Sequence, residues 1–159
     1  MTKKTIITDD IKKEIEELSQ HFPRKSASCI EALQVVQKHH RWVSDEAVKE
    51  LAKELEMSSE AVDSVATFYN LVFRKPVGRH VILVCNNVTC WMLKYEEIAA
   101  KLQEILGIEF GETTADDRFT LLTIPCLGTC DRAPAMMIDK NLHRDLTVDK
   151  IEGILEKYE

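Results

Sequence analysis

No stretch of this 159-residue sequence approaches the ~18 consecutive apolar residues that a bilayer-crossing helix needs, so direct insertion into a membrane is not expected. The opening "MTKKTIITDDIKKEIEEL" is charged and has no apolar core of a signal peptide. It also lacks the arginine-rich, acid-poor make-up of a transit peptide, and a bacterial cytoplasm is the expected home. Basic character is missing too. The net charge is −6, and no stripe of lysine and arginine interleaves with aromatics, which argues against a nucleic-acid partner. A protein partner, or attachment to a larger membrane complex, stays compatible with that charge. There is no internal repeat, no low-complexity segment and no Gly-x-Gly-x-x-Gly of a dinucleotide site. Cysteines number five, an odd count where a secreted disulfide framework is more often even. What is present is a globular balance, 45% hydrophobic and 30% charged, in a length that suits one domain or two small ones.

The first half reads as helices alone. Asp9 and Asp10 start a run that places Ile11, Ile15 and Leu18 on one face. Pro23 separates it from a second helix beginning near Ser26 or Ser28, with Ile30, Leu33, Val36 and Val35 toward a core. Ser44 is an N-cap, and Asp45 and Glu46 suit the positive end of a helix that buries Ala47, Val48, Leu51, Ala52 and Leu55. Ser58 or Ser59 opens a fourth, carrying Val62, Val65, Phe68 and Tyr69. Four short helices with brief connections predict a small bundle over residues 1–75.

The pattern then changes. Pro76 and Gly78 punctuate the chain, and "HVILVC" reads as a buried strand. "LKYEEIAAKLQEILG" is an amphipathic helix with Ile98, Leu102 and Ile105 inward and Gly107 as its stop. "RFTLLTI" and "AMMID" are further strands, followed by a turn at Asp139 to Asn141 and a short return strand in "LHRDL". Thr147 caps a last helix with Ile151, Ile154, Leu155 and Tyr158 inward. Strand, helix, strand, strand, helix predicts a compact α/β domain on one sheet over residues 76–159, so the chain as a whole is α+β.

Four of the cysteines fall in two tight pairs where strands end: Cys85 and Cys90 in "VCNNVTCW", Cys126 and Cys130 in "IPCLGTCDRAP". If the two strands are neighbours, both loops leave the same end of the sheet and the pairs converge. The fifth, Cys29, lies in a helical apolar pattern and is expected to be a small buried hydrophobe. A redox disulfide usually spaces its cysteines by two residues and leaves the other pair unexplained. Structural zinc usually takes tighter knuckles, although spacings up to four occur. A 2Fe-2S cluster fits better, because it needs four thiolates around a body larger than one ion. The spacing is not that of plant-type ferredoxins, and His21, His39, His40, His80 and His143 are not placed for Rieske ligation. Buried negative charge on such a cluster calls for donors. Gly128 allows close backbone approach, Asn86, Asn87, Thr89 and Thr129 offer side-chain donors, and Arg132 offers positive charge. The asparagines and glycine also serve as plain turn formers.

"VCNNVTC", "RFTLLTIPCLGTCDRAPAMMID", "ALQVVQKHHRWVSDEAVKELAKEL" and "VATFYNLVFRKPVGRHVI" together resemble one family, over about residues 26–159. It is the thioredoxin-like 2Fe-2S ferredoxin family of bacterial NADH:quinone oxidoreductase, respiratory complex I, often called the NuoE family. The resemblance implies a thioredoxin-like carboxy-terminal domain and one 2Fe-2S cluster held by Cys85, Cys90, Cys126 and Cys130. It implies docking on the flavoprotein subunit that binds FMN and NADH, electron exchange with that FMN, and contact with other peripheral-arm subunits. The protein would lie in the cytoplasm, peripheral to the inner membrane through the complex. No residue of this chain would act as acid, base or nucleophile, and the helical segment would supply much of the docking surface. The corresponding diaphorase subunit of an NAD-coupled hydrogenase or formate dehydrogenase is the close alternative, and a free-standing thioredoxin-like ferredoxin a more distant one. One position departs from the family: Lys94 stands where a glycine is usual. Facing the cluster, it would favour the reduced state; otherwise it points to solvent. Trp91 is expected to cover the cluster or to pack in the core.

Overall fold

The computed structural model describes residues 5–158. These fall into two compact units that divide between Pro76 and Val77.

The first unit is helical: α1 (Asp9–Ser19), a 3-10 turn (Lys25–Ser28), α2 (Cys29–His40), α3 (Asp45–Glu54) and α4 (Ser59–Phe68). Ser44 and Ser58 cap α3 and α4 by accepting hydrogen bonds from the Ala47 and Ala61 N–H groups, both at 3.1 Å. Ile11 and Ile15 of α1, Leu33 and Val36 of α2, Leu51 of α3 and Val62 of α4 share one core, and Cys29 is buried in it. Glu50 of α3 holds the segment before α1, its carboxylate accepting from the N–H groups of Ile6 and Ile7 at 3.0 and 2.8 Å. Among the described residues Ser19 and Ser28 are buried here and hydrogen-bonded, whereas Glu31 Oε2 is buried without a partner. Ser19 Oγ donates to the Ile15 carbonyl at 2.8 Å and lies 2.8 Å from Ser28 Oγ.

The apolar face of α4 is narrower than its sequence suggests. Val62 and Ala66 face inward and Val65 is half-buried, but Phe68 is 77% exposed and Tyr69 is also on the surface. Phe68 lies two residues past Ala66, rather more than half a turn around the helix. At Tyr69 the backbone is already extended, so the helical register does not carry it inward. Ile30 is likewise half-buried rather than in the core.

The second unit is built on a four-stranded sheet in the order β2-β1-β3-β4. β1 (His80–Cys85) runs parallel to β2 (Phe119–Ile124), with Cys85 opposite Ile124. β3 (Met136–Ile138) is antiparallel to β1 and to β4 (Asn141–His143). β1 is a central strand with Val81 to Cys85 all buried, as its unbroken apolar run requires. Between β1 and β2 the chain forms a short α5 (Val88–Met92) and α6 (Tyr95–Leu106); α7 (Val148–Leu155) follows β4. Ile82 and Val84 of β1, Leu121 of β2, Met136 and Ile138 of β3, Ile98 and Leu102 of α6, and Ile151 and Leu155 of α7 make one core. Ile105, expected inward, is 36% exposed and lines an open groove at the end of α6. Gly107 ends α6 in the left-handed conformation (φ +65°). Thr147 stands at the N-cap of α7 without a side-chain bond to the helix backbone.

The far end of the sheet from the cysteines is tied down by polar contacts. Asp139 Oδ1 accepts from the Val81 N–H at 3.0 Å, and Oδ2 lies 2.7 Å from His80 Nδ1. The Arg118 guanidinium donates to the Tyr158 carbonyl (Nε at 2.7 Å) and to the Leu155 carbonyl at 3.1 Å. A cation there satisfies carbonyls that the end of α7 leaves open.

Candidate functional site

The parallel pairing of β1 and β2 means that both strands end on the same side of the sheet, and both cysteine loops leave from there. Cys85 is the last residue of β1 and is buried; its N–H donates to the Ala135 carbonyl at 3.1 Å. Cys90 is buried on α5, a one-turn helix where the sequence suggests only a loop. Asn87 starts that helix, its Oδ1 accepting from the Val88 N–H at 2.9 Å, so its side chain serves the local turn. Cys126 follows β2 by two residues, and Cys130 opens a 3-10 turn (Cys130–Arg132); both are exposed. All five cysteines are free thiols.

Two of the paired cysteines act on a third. The Cys90 thiol is pushed up to about 11, first by burial and then by its hydrogen bond to the Cys85 thiol, with Cys130 adding in the same direction and the Ala135 backbone pulling the other way. Such a thiol keeps its proton at neutral pH, and binding metal would displace it. Among the described residues no three His, Cys, Asp or Glu side chains converge tightly enough to hold a single metal ion. A two-iron body places a different demand, two thiolates per iron, with the pairs apart.

The surroundings fit such an anionic body. Gly128 adopts φ +71°, has open space around its Cα, and donates its N–H to Cys126 Sγ at 3.3 Å. Thr129, between Cys126 and Cys130, buries its hydroxyl oxygen with no hydrogen-bond partner. An unmet buried hydroxyl costs about 1–3 kcal/mol, so this one calls for a hydrogen-bond partner. Positive charge is not supplied by Arg132, contrary to expectation, because its guanidinium is engaged by the Asp145 carboxylate (Nε to Oδ2 2.7 Å). Lys94 does not turn to the cysteines either. It is exposed and pairs with Glu97 at 3.2 Å. Its backbone is left-handed (φ +74°), which gives a physical reason for glycine at this position. Trp91 is 58% exposed and donates from Nε1 to Glu96 at 3.1 Å, so it is not a core residue.

The family model of thioredoxin-like 2Fe-2S ferredoxins matches residues 15–159, nearly all of the sequence. The chain belongs to the thioredoxin-like 2Fe-2S ferredoxin family. This ferredoxin is 42% identical over 157 residues to the E subunit of the NADH-quinone oxidoreductase of Pseudomonas aeruginosa, covering 99% of this chain and 95% of that one. It is 46% identical over 144 residues to the corresponding E subunit from Escherichia coli K12, covering 91% and 87%. Among solved structures, it resembles a crystal structure of an NAD+-reducing NiFe-hydrogenase with a TM-score of 0.69 at 24% identity. That match covers 82% of this ferredoxin but 22% of the hydrogenase chain, and it shows the fold alone. The family's cofactor is a 2Fe-2S cluster. Among the described residues no helix is long and apolar enough to cross a membrane.

Proposed function

We propose that this ferredoxin is the electron-transfer subunit of the NADH dehydrogenase module of a bacterial complex I, and that Cys85, Cys90, Cys126 and Cys130 hold its cluster. The observation that carries the reading is the placement of both cysteine pairs at the same end of two paired parallel strands, in a chain alike along 99% of its length to a subunit of that complex. When bound, the cluster supplies reversible one-electron storage. The residues here supply the grip and the surroundings. Cys85 and Cys90 are held by a central strand and a capped helical turn, and Cys126 and Cys130 by a loop whose glycine turns a backbone N–H onto sulfur. No side chain is needed as acid, base or nucleophile, because an electron moves without making or breaking a covalent bond.

The partner in this reading is the flavoprotein subunit that binds FMN and NADH, with further peripheral-arm subunits around it. Electron transfer falls off steeply with distance, so the docking face must lie beside the cysteines. Next to buried Cys90, α5 and the residue after it expose Val88, Trp91, Met92 and Leu93. Met92 and Leu93 also line an open groove with Ala133, Pro134 and Leu146. An apolar patch of this kind beside a redox centre suits a protein interface. The helical segment over residues 1–75 adds docking surface, with Phe68, Tyr69 and Leu71 exposed on it. Such a subunit lies at the cytoplasmic side of the inner membrane through its complex.

Anaerobic purification tests the cluster. We expect about two iron and two acid-labile sulfide per chain, visible absorption, and an EPR signal after reduction. Single Cys→Ser variants at 85, 90, 126 and 130 should each lose most of that iron, while Cys29→Ser keeps it. A full complement of iron in all four variants would defeat the ligand assignment. Co-purification from cells tests the assembly: a flavoprotein that binds FMN together with complex I subunits supports it, and hydrogenase or formate dehydrogenase subunits in their place would overturn it.

A further inference from the structure

Thr129 stands at the N-cap position of the 3-10 turn that begins with Cys130, yet its side chain makes no capping bond. The residue is 8% exposed, and its Oγ1 is sealed from water with no partner in the protein. Neither of the ordinary uses of a threonine here, capping or contact with solvent, accounts for the hydroxyl. A valine of the same shape would fill the space without burying an unmet polar group. The hydroxyl lies inside a short span between two cysteines whose glycine N–H already points at Cys126 Sγ.

We propose that Thr129 Oγ1 donates a hydrogen bond to a sulfur of the bound cluster and thereby raises its reduction potential, an inference that rests on the cluster assignment to these four cysteines. A donor facing sulfur favours whichever state carries more negative charge, which is the reduced one. Thr129 is a positioning and tuning residue, not a catalytic one.

The test uses the full chain, loaded anaerobically with ferric iron and sulfide and titrated with dithionite. Reduction takes in one electron from dithionite and breaks no covalent bond in the protein. Thr129→Val should move the midpoint down by about tenfold in the reduced-to-oxidised ratio at fixed poise, about 59 mV for a one-electron couple. Thr129→Ser, which keeps the hydroxyl, should stay near the wild-type value. The cluster-free chain gives an independent reading: Thr129→Val should unfold at a denaturant midpoint no lower than wild type. An unchanged midpoint potential in a loaded Thr129→Val protein would overturn the proposal. So would equal shifts for valine and serine, or a cluster-free Thr129→Val chain less stable than wild type, which would mark a structural role. A wild-type chain that takes up no iron would instead bring down the cluster assignment itself.

Discussion

At the scale of single residues, Lys94 carries backbone strain in the left-handed region, as do Arg41 and Glu56. A side chain in the left-handed region costs about 1–2 kcal/mol, whereas glycine adopts it freely. The ion pair to Glu97 is exposed and offsets little of this. Lys94→Gly should therefore stabilise the protein by about 1 kcal/mol in denaturant unfolding, once the larger unfolded-state entropy of glycine is allowed for. Because the ammonium points to Glu97 and solvent, the same variant should leave the reduction potential unchanged in a redox titration. The sequence marks Lys94 as out of pattern but does not say which way it points; that depends on where α6 begins. The strand-end placement of the four paired cysteines is legible because their spacing and the strand pattern are local facts. Arg132 misleads because its partner, Asp145, is 13 residues away, beyond a turn and two short strands.

Among the elements, β1 is positioned by a glycine that precedes it. A Cβ on Gly78 would lie 2.9 Å from the Asp117 carbonyl oxygen and 3.1 Å from that of Arg118, both backbone atoms that cannot swing aside. Its N–H also donates to Thr120 Oγ1 at 2.7 Å. Gly78→Ala should cost about 1–3 kcal/mol in unfolding free energy, with the loss appearing as a lower denaturant midpoint. The opposite edge of the sheet answers to pH. Burial holds the His143 imidazole below its usual 6.5, with the Lys157 charge adding to the effect, and its Nε2 lies 2.8 Å from the Tyr158 hydroxyl. The unfolded state then binds the proton more readily. The stability contributed by neutral His143 is complete above the ordinary histidine value and declines as pH falls from there toward the depressed folded value. His143→Gln should flatten that part of the stability profile, measured by urea unfolding at a series of pH values from about 7 down to about 5. Apolar runs and caps announce the long elements in the sequence. α5 escapes notice because five residues give no helical period to read. Phe68 and Ile105 look inward-facing because periodicity says which face a residue is on, not where the neighbouring core stops.

Each unit of the molecule has its own buried core, and every paired cysteine lies in the second. Removing residues 1–76 should therefore leave iron uptake by the remaining chain intact while weakening capture of the proposed flavoprotein partner several-fold in a pull-down. Loss of iron uptake on this truncation would mean that the helices support the cluster loops. Unimpaired capture would mean that they are not the docking surface. The α+β architecture is readable because the change from helical to strand periodicity is abrupt near Pro76. The sheet order is not, since parallel and antiparallel neighbours are chosen by contacts between segments far apart in the chain.

The two cysteine loops leave adjacent strands, yet the chain between them joins them only by a long detour through α5 and α6. An inorganic body gripped from both sides would act as a cross-stitch between them. Chelation would cut that stitch without touching a peptide bond, and the surface segments at 86–94 and 126–134 would become the first places where a protease finds loose thread.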